Sequence, residues 1–233
     1  MSSTRVRRPR REVAESRERI LTTAERFFTE NGVDASLHRL AQEAGVGVAT
    51  LFRRFPSRDE LVRALYDRMV ARVDDLVARI AREREPGWDS LVAYVEGSVE
   101  LMFASPLLPD VMKRMVEIDP DYRPGDRWIE PLLRDVRIAQ DTGDLRPDAT
   151  GYDLAIVPSA IGGLVHLQEP VRSVLASRLV RIVLGGLKTG ERTPLGDAPR
   201  FETAEYHRSV HGMSEAKAPT TQVPRRSGND AGR

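Results

Sequence analysis

Between residues 1 and 190 the apolar side chains return every three or four positions, segment after segment, and no stretch keeps up the alternation that a half-buried strand needs. A chain patterned this way folds all-α, because only a helix turns positions i, i+3, i+4 and i+7 onto one face. Glycines, prolines and polar clusters divide the pattern into predicted helices at residues 14–31, 36–44, 48–55, 58–85, 88–104, 107–118, 127–141, 151–168 and 171–187. Beyond residue 190, Pro, Gly, Thr, Arg and Asp mix with few clustered apolar residues, so 191–233 reads as a disordered tail with one short helix near 203–213.

The first four helices carry the most specific local signals. Ile20, Leu21, Ala24, Phe27 and Phe28 share one face of the first, which stops at Asn31-Gly32. Ser36 stands where its hydroxyl can cap the open N–H groups of a short second helix, which turns Leu37, Leu40, Ala41 and Ala44 inward and ends at Gly45. The third places Leu51 and Phe55 four residues apart on its buried face before Pro56 ends it. Ser57 and Glu60 read as a capping box at the head of the long fourth helix, a connecting rod striped by Leu61, Leu65, Met69, Val73, Leu76, Val77 and Ile80. Two short helices joined by a glycine-containing turn match a helix-turn-helix, whose second helix enters the major groove of DNA. Two ordinary core helices of a bundle give the same spacing. In the first reading Gly47, Val48, Ala49 and Thr50 form the opening turn of the reader helix, small enough to approach base edges, with Val48 or Ala49 against a thymine methyl.

Charge supports the front of the chain as the nucleic-acid end. The formal net charge is only +1, yet residues 1–63 hold 13 arginines against 9 carboxylates, a local excess of +4. Arg5, Arg7, Arg8, Arg10 and Arg11 precede the first acidic residue, Glu12, and read as a disordered basic arm that lies in the minor groove or along the backbone, or else as a solubilising tail. Cysteine is absent, which excludes disulfides and thiol chemistry. The N-terminus lacks a secretory apolar region, and the apolar run 154–167 contains Pro158 and His166 and is too short to span a bilayer, so a cytoplasmic protein without membrane contact is expected. There is no Gly-rich phosphate loop, nucleophile motif or HExxH, so neither an enzyme nor a cofactor is expected. His207 and His211 are spaced as a helical pair but lie in the tail, and no metal site is expected.

The residues Leu40-Ala41-Gln42-Glu43-Ala44-Gly45-Val46 and then Thr50-Leu51-Phe52-Arg53-Arg54-Phe55-Pro56-Ser57-Arg58-Asp59-Glu60-Leu61 closely resemble the DNA-binding motif of the TetR family of transcriptional regulators. The resemblance is specific over residues 19–61, and the stretch Gly143-Asp144-Leu145-Arg146-Pro147-Asp148-Ala149-Thr150 resembles the family's usual entry to its penultimate helix. It implies a basic arm over 1–12, a three-helix DNA-binding domain over 13–60 and a helical effector-binding and dimerisation domain over 61–190. It also places Phe52, Arg54 and Arg58 at phosphate-clamp positions that the family usually fills with tyrosine, histidine and lysine. Phe52 lacks a hydroxyl, whereas the arginines keep the charge, so the grip on the backbone shifts from hydroxyl bonds toward charge. Gly47 replaces the family's common capping serine and Ala49 its common glycine. With Ser36 and Arg53 these residues make the expected DNA-contacting set; Arg53 either reads a guanine through its fork or is a surface arginine.

The last two predicted helices hold more apolar residues than one buried face needs, among them Ile156, Val165, Val174, Leu175, Leu179 and Ile182. Either the monomer buries them, or they pair with a second copy through the four-helix bundle that the resemblance implies, with Ala160, Gly162, Gly163, Gly185 and Gly186 permitting close approach. A homodimer of this kind demands a roughly palindromic double-stranded operator. The resemblance further implies a repressor released by a small-molecule effector of unknown chemistry. Tyr94, Met102, Phe103, Met112, Met115, Trp128 and His166 are the candidate pocket residues, each of which also suits ordinary core packing, and Pro158 suggests a kink beside them. The competing reading is a helical protein-interaction bundle with no DNA role.

Overall fold

The computed structural model describes residues 7–190 and 193–196, with side chains in the first helix placed from Glu12 onward. Among them are α1 (Arg7–Asn31), α2 (Leu37–Glu43), α3 (Val48–Arg54), α4 (Arg58–Glu83), α5 (Trp88–Ala104), α6 (Leu108–Ile118), α7 (Asp126–Asp141), α8 (Gly151–Gly162), a 3-10 turn (Gly163–His166) and α9 (Val171–Leu187). The fold is all-α, with one isolated antiparallel bridge between Leu145 and Lys188. No single helix among the described residues is long and apolar enough to cross a membrane. The short helix expected near 203–213, with His207 and His211, lies outside the described residues.

Two helices depart from their expected limits by more than a turn's edge. α1 begins at Arg7, so Arg7, Arg8, Arg10 and Arg11 sit on helical backbone and not in a disordered arm; Arg5 lies outside the described residues. α8 closes at Gly162, where two glycines in succession weaken the helix and the next four residues tighten into the 3-10 turn. Caps also sort differently. Ser36 occupies the cap position of α2 without a side-chain capping bond, whereas the Ser57 hydroxyl accepts from Glu60 N at 3.1 Å. Thr150 and Asp153 form a complete capping box at α8.

The helices enclose two cores. The first gathers Phe27 and Phe28 of α1, Leu37 and Leu40 of α2, Leu51 of α3, Phe55, and Leu61, Leu65 and Met69 of α4. It does not stop at residue 60: Leu107, Val111 and Met115 also belong to it. They reach it because α6 is bent 89° from α5 at the Ser105-Pro106 break, which turns α6 away from the second core and across α4. A polar knot fastens this corner. Arg72 of α4 bonds both carboxylate oxygens of Glu25, at 2.6 and 3.0 Å, and the Ser105 hydroxyl at 2.6 Å.

The second core joins α5, α7, α8 and α9 through Leu91, Val95, Val136, Leu154, Ile161, Val180 and Leu184. α4 runs past both cores, and Gly97 lets α5 close upon it, since a Cβ there would lie 2.5 Å from Leu76 Cδ1. The chain leaving α9 is strapped to the α7–α8 connection. Buried Arg146 bonds Asp148 (2.8 Å) and the Thr193 carbonyl (2.8 Å), and Asp148 accepts from Leu195 N at 3.0 Å. These bonds, the Arg146 guanidinium first, lower the Asp148 carboxyl from 3.8 to about 2.

Candidate nucleic-acid interface and sensor cavity

Leu51, sunk in the first core with Phe55 just beyond the helix, turns the opposite face of α3 outward. Gly47, Ala49, Phe52 and Arg53 are exposed and Thr50 and Arg54 half-buried, whereas Val48, also half-buried, packs against the first core. The Gly47 carbonyl starts the helix by accepting from Thr50 N at 2.8 Å and Leu51 N at 3.0 Å. Its missing side chain leaves space, since a Cβ would meet only Thr50 Oγ1 at 4.0 Å. Arg53 makes a long bond to Thr50 Oγ1 at 3.5 Å and keeps its other donors turned to solvent. Ser36 is exposed, and the absence of a capping bond leaves its hydroxyl free of the helix it precedes.

His38 is a neighbour that sequence reasoning missed. Its ring meets Phe52 edge-on with centroids 6.5 Å apart, and Phe52 is 38% exposed, so the two rings form one small aromatic ledge between α2 and α3. An exposed histidine in the first turn of the helix before the reader was the available signal.

The two clamp-position arginines look inward instead. Arg54 Nε donates to Ser16 Oγ of α1 at 3.2 Å. Arg58 donates to the Val33 carbonyl and, at 2.8 Å, to the Ala35 carbonyl, with its guanidinium over the Phe28 ring. Arg17 and Arg39 ride in the same way over Phe55 and Phe27, at 5.2 and 5.7 Å from the centroids. Much of the basic charge of this unit is therefore held against its own aromatic core.

The seven pocket candidates do not converge. Tyr94 and Trp128 do meet, lining a small cavity of about 40 Å³ between α4, α5 and α7 with Val77, Ile80, Leu132 and Asp135. Burial pushes the Tyr94 phenol up. Trp128 Nε1 donates to Asp74 at 2.8 Å, and the same carboxyl is held low by its bonds to Arg127. Asp135, a buried carboxylate bonded to neighbouring Arg134 at 3.0 Å, is the polar wall that the sequence reading passed over. Phe103 lines a separate open groove of about 420 Å³ between α5 and α9, with Glu96, Glu100 and Arg181 at its rim. Met102 packs against Gly162, where a Cβ would stand 2.7 Å from its methyl carbon. Met115 belongs to the first core, Met112 is half-buried on the same helix, and His166 is exposed with Nδ1 2.8 Å from the Gly163 oxygen. The bend before α6 carries Met112 and Met115 away from the others, and no helical periodicity announces its angle.

Comparison with known proteins agrees with this geometry. Residues 20–65 match the family model for bacterial regulatory proteins of the tetR family, a span covering α2, α3 and the head of α4. A solved TetR transcriptional regulator from Streptomyces coelicolor is 32% identical, with 75% of this chain and 99% of that chain aligned at a TM-score of 0.55. A ketosteroid transcriptional regulator of Mycobacterium tuberculosis, 19% identical with 75% of this chain and 95% of that chain aligned at a TM-score of 0.60, shares the fold. An HTH-type transcriptional regulator of Staphylococcus aureus is 40% identical over 53 residues, which are 22% of this chain and 29% of that protein. On the match to the Streptomyces regulator over almost its whole length, this chain belongs to the TetR family of helix-turn-helix transcriptional regulators.

Proposed function

We propose that the chain is a repressor that binds a palindromic operator as a two-fold dimer and is released by a small molecule entering between α4, α5 and α7. The observation that carries the reading is the outer face of α9. Val171, Val174, Leu175, Leu179 and Ile182 are exposed there, as is Ile156 of α8, and Ile182 is 63% exposed. Ala176, Val180, Leu184 and Leu187 already supply the buried face of the same helix. A second apolar face of this length finds its partner in another copy of itself, the self-complementary contact of a two-fold dimer. Two reader helices are then carried about 34 to 36 Å apart, one turn of DNA.

On the DNA, Phe52 packs against sugar or a thymine methyl, Arg53 reaches base edges, and Ser36 with the basic residues of α1 faces phosphates. The sensor cavity supports release by wedging. At about 40 Å³ it is far below the roughly 150 Å³ that takes up a benzene-sized guest, so an organic effector enters only by parting α7 from α4. It shifts the equilibrium by its differential affinity for the parted state.

In vitro selection from randomised duplexes tests the whole reading. The wild-type protein is expected to enrich inverted repeats with half-site centres about one turn apart, and Ile182→Glu to sediment as a monomer that enriches none. A dimeric Ile182→Glu protein, or enrichment of single unpaired sites by the wild type, would refute it.

A further inference from the structure

Arg58, the first residue of α4, bridges that helix and the turn that precedes α2. Nη1 donates to the Val33 carbonyl and Nη2 to the Ala35 carbonyl at 2.8 Å, while the guanidinium carbon stands 6.0 Å from the Phe28 ring centroid. These carbonyls flank Asp34 in the turn that leaves α1 and delivers Ser36 to the start of α2. The backbone bonds of that turn, Gly32 N to Phe28 O and Ala35 N to Gly32 O, fasten it to α1 and to itself. The fork of Arg58 fastens it to α4.

The same first turns of α4 are gripped from the sensor side. Asp59 pairs with Arg114 of α6 at 2.9 Å, and Arg63 pairs with Asp119 at the end of α6 at 3.0 Å. Residues 58, 59 and 63 therefore form a junction, with the turn before α2 on one side and α6 on the other.

We infer that Arg58 is a positioning residue and not a phosphate ligand: by holding the 33–35 turn it sets Ser36 and α2 in register with α4, and carries displacements of α4 to the reader unit. A planar fork with parallel donors is preorganised for two carbonyls in one turn, whereas an ammonium on a flexible stem loses more freedom to hold both. The residue that the resemblance makes usual here, lysine, keeps the charge but loses the bridge. The inference rests on the reading above that Ser36 and α3 face DNA.

Arg58→Lys separates the roles. On a duplex selected by the wild-type protein, the variant dimer is expected to bind about a hundredfold more weakly, the scale of one lost charge-assisted hydrogen bond in each protomer. The slope of log affinity against log salt should stay unchanged, since no phosphate contact is lost. Amide exchange at residues 34–38 of the free protein should quicken, with the melting temperature near that of the wild type. Wild-type affinity and exchange in Arg58→Lys would overturn the inference. So would Arg58→Met lowering the salt slope by about 1.8, or about 0.9 for each protomer of the dimer, with free-protein exchange unchanged, the signature of a direct phosphate contact. A role confined to stability is equally exposed: the melting temperature would fall and affinity would return on cooling. Failure of the wild type to enrich any duplex would defeat the DNA-facing reading itself, an outcome distinct from these.

Discussion

Gly185 gives the dimer reading a test in which two effects have opposite signs. It lies on the exposed side of α9, one turn beyond Ile182, and a Cβ built on it meets nothing within 4 Å in the single chain. Within an isolated protomer Gly185→Ala is therefore pure helix gain, about 0.5–1 kcal/mol. If the α9 faces close on one another near this residue, each methyl overpacks the crossing at about 1–3 kcal/mol, and two-fold symmetry places it there twice. The low end, about 2 kcal/mol, weakens dimerisation roughly 30-fold. Sedimentation across a concentration series reads the second effect. Urea unfolding in the Ile182→Glu background, where protomers are expected to stand alone, reads the first. The expected outcome is a stabilised monomer together with a loosened dimer. A Gly185→Ala dimer as tight as the wild type would show that the helices do not cross closely there, and a destabilised monomer would show that the space around the residue is misjudged.

Two further outcomes follow from the polar knots. Arg72→Met strands Glu25, whose side chain is 16% exposed, with Arg68 left 3.9 Å away; urea unfolding should show a loss of about 2 kcal/mol, and a double-mutant cycle with Glu25→Gln should recover coupling of the same order. A loss under about 0.5 kcal/mol would mean that the bridge behaves as an ordinary surface pair. Asp148 contributes stability that is complete above its unfolded value of 3.8 and disappears as pH falls toward about 2, so the melting temperature of Asp148→Asn should decline less than that of the wild type between pH 4 and pH 2. Parallel declines would refute a folded-state role for the Arg146–Asp148 pair.

The legibility of the molecule follows the range of the interactions involved. Limits of α5 and α9 could be read directly because Pro86-Gly87, Ser105-Pro106 and Glu169-Pro170 are local breakers beside periodic runs. The exposed face of α3 was equally plain, since Leu51 and Phe55 fix its orientation from within. What escaped depended on distant partners. Arg58 carries the same charge whether it faces phosphate or two carbonyls, and only the position of the 33–35 turn decides. Met115 and Tyr94 look alike as candidate pocket residues, yet the bend between α5 and α6 sends one to the first core and keeps the other beside Trp128. Asp135 reads as a surface charge in a helix rich in Arg and Asp, although it forms a cavity wall.

The lodging of α6 in the first core bears on how such regulators are recombined. Leu107, Val111 and Met115 are numbered with the sensor but fill space beneath the reader, beside Leu65 and Met69. A hybrid that grafts the first 85 residues of this chain onto another regulator's remainder would inherit a foreign α6, with mismatched side chains against its DNA-binding half. The natural unit of exchange is not a continuous stretch of chain: α1 to α4 travel properly only in the company of α6.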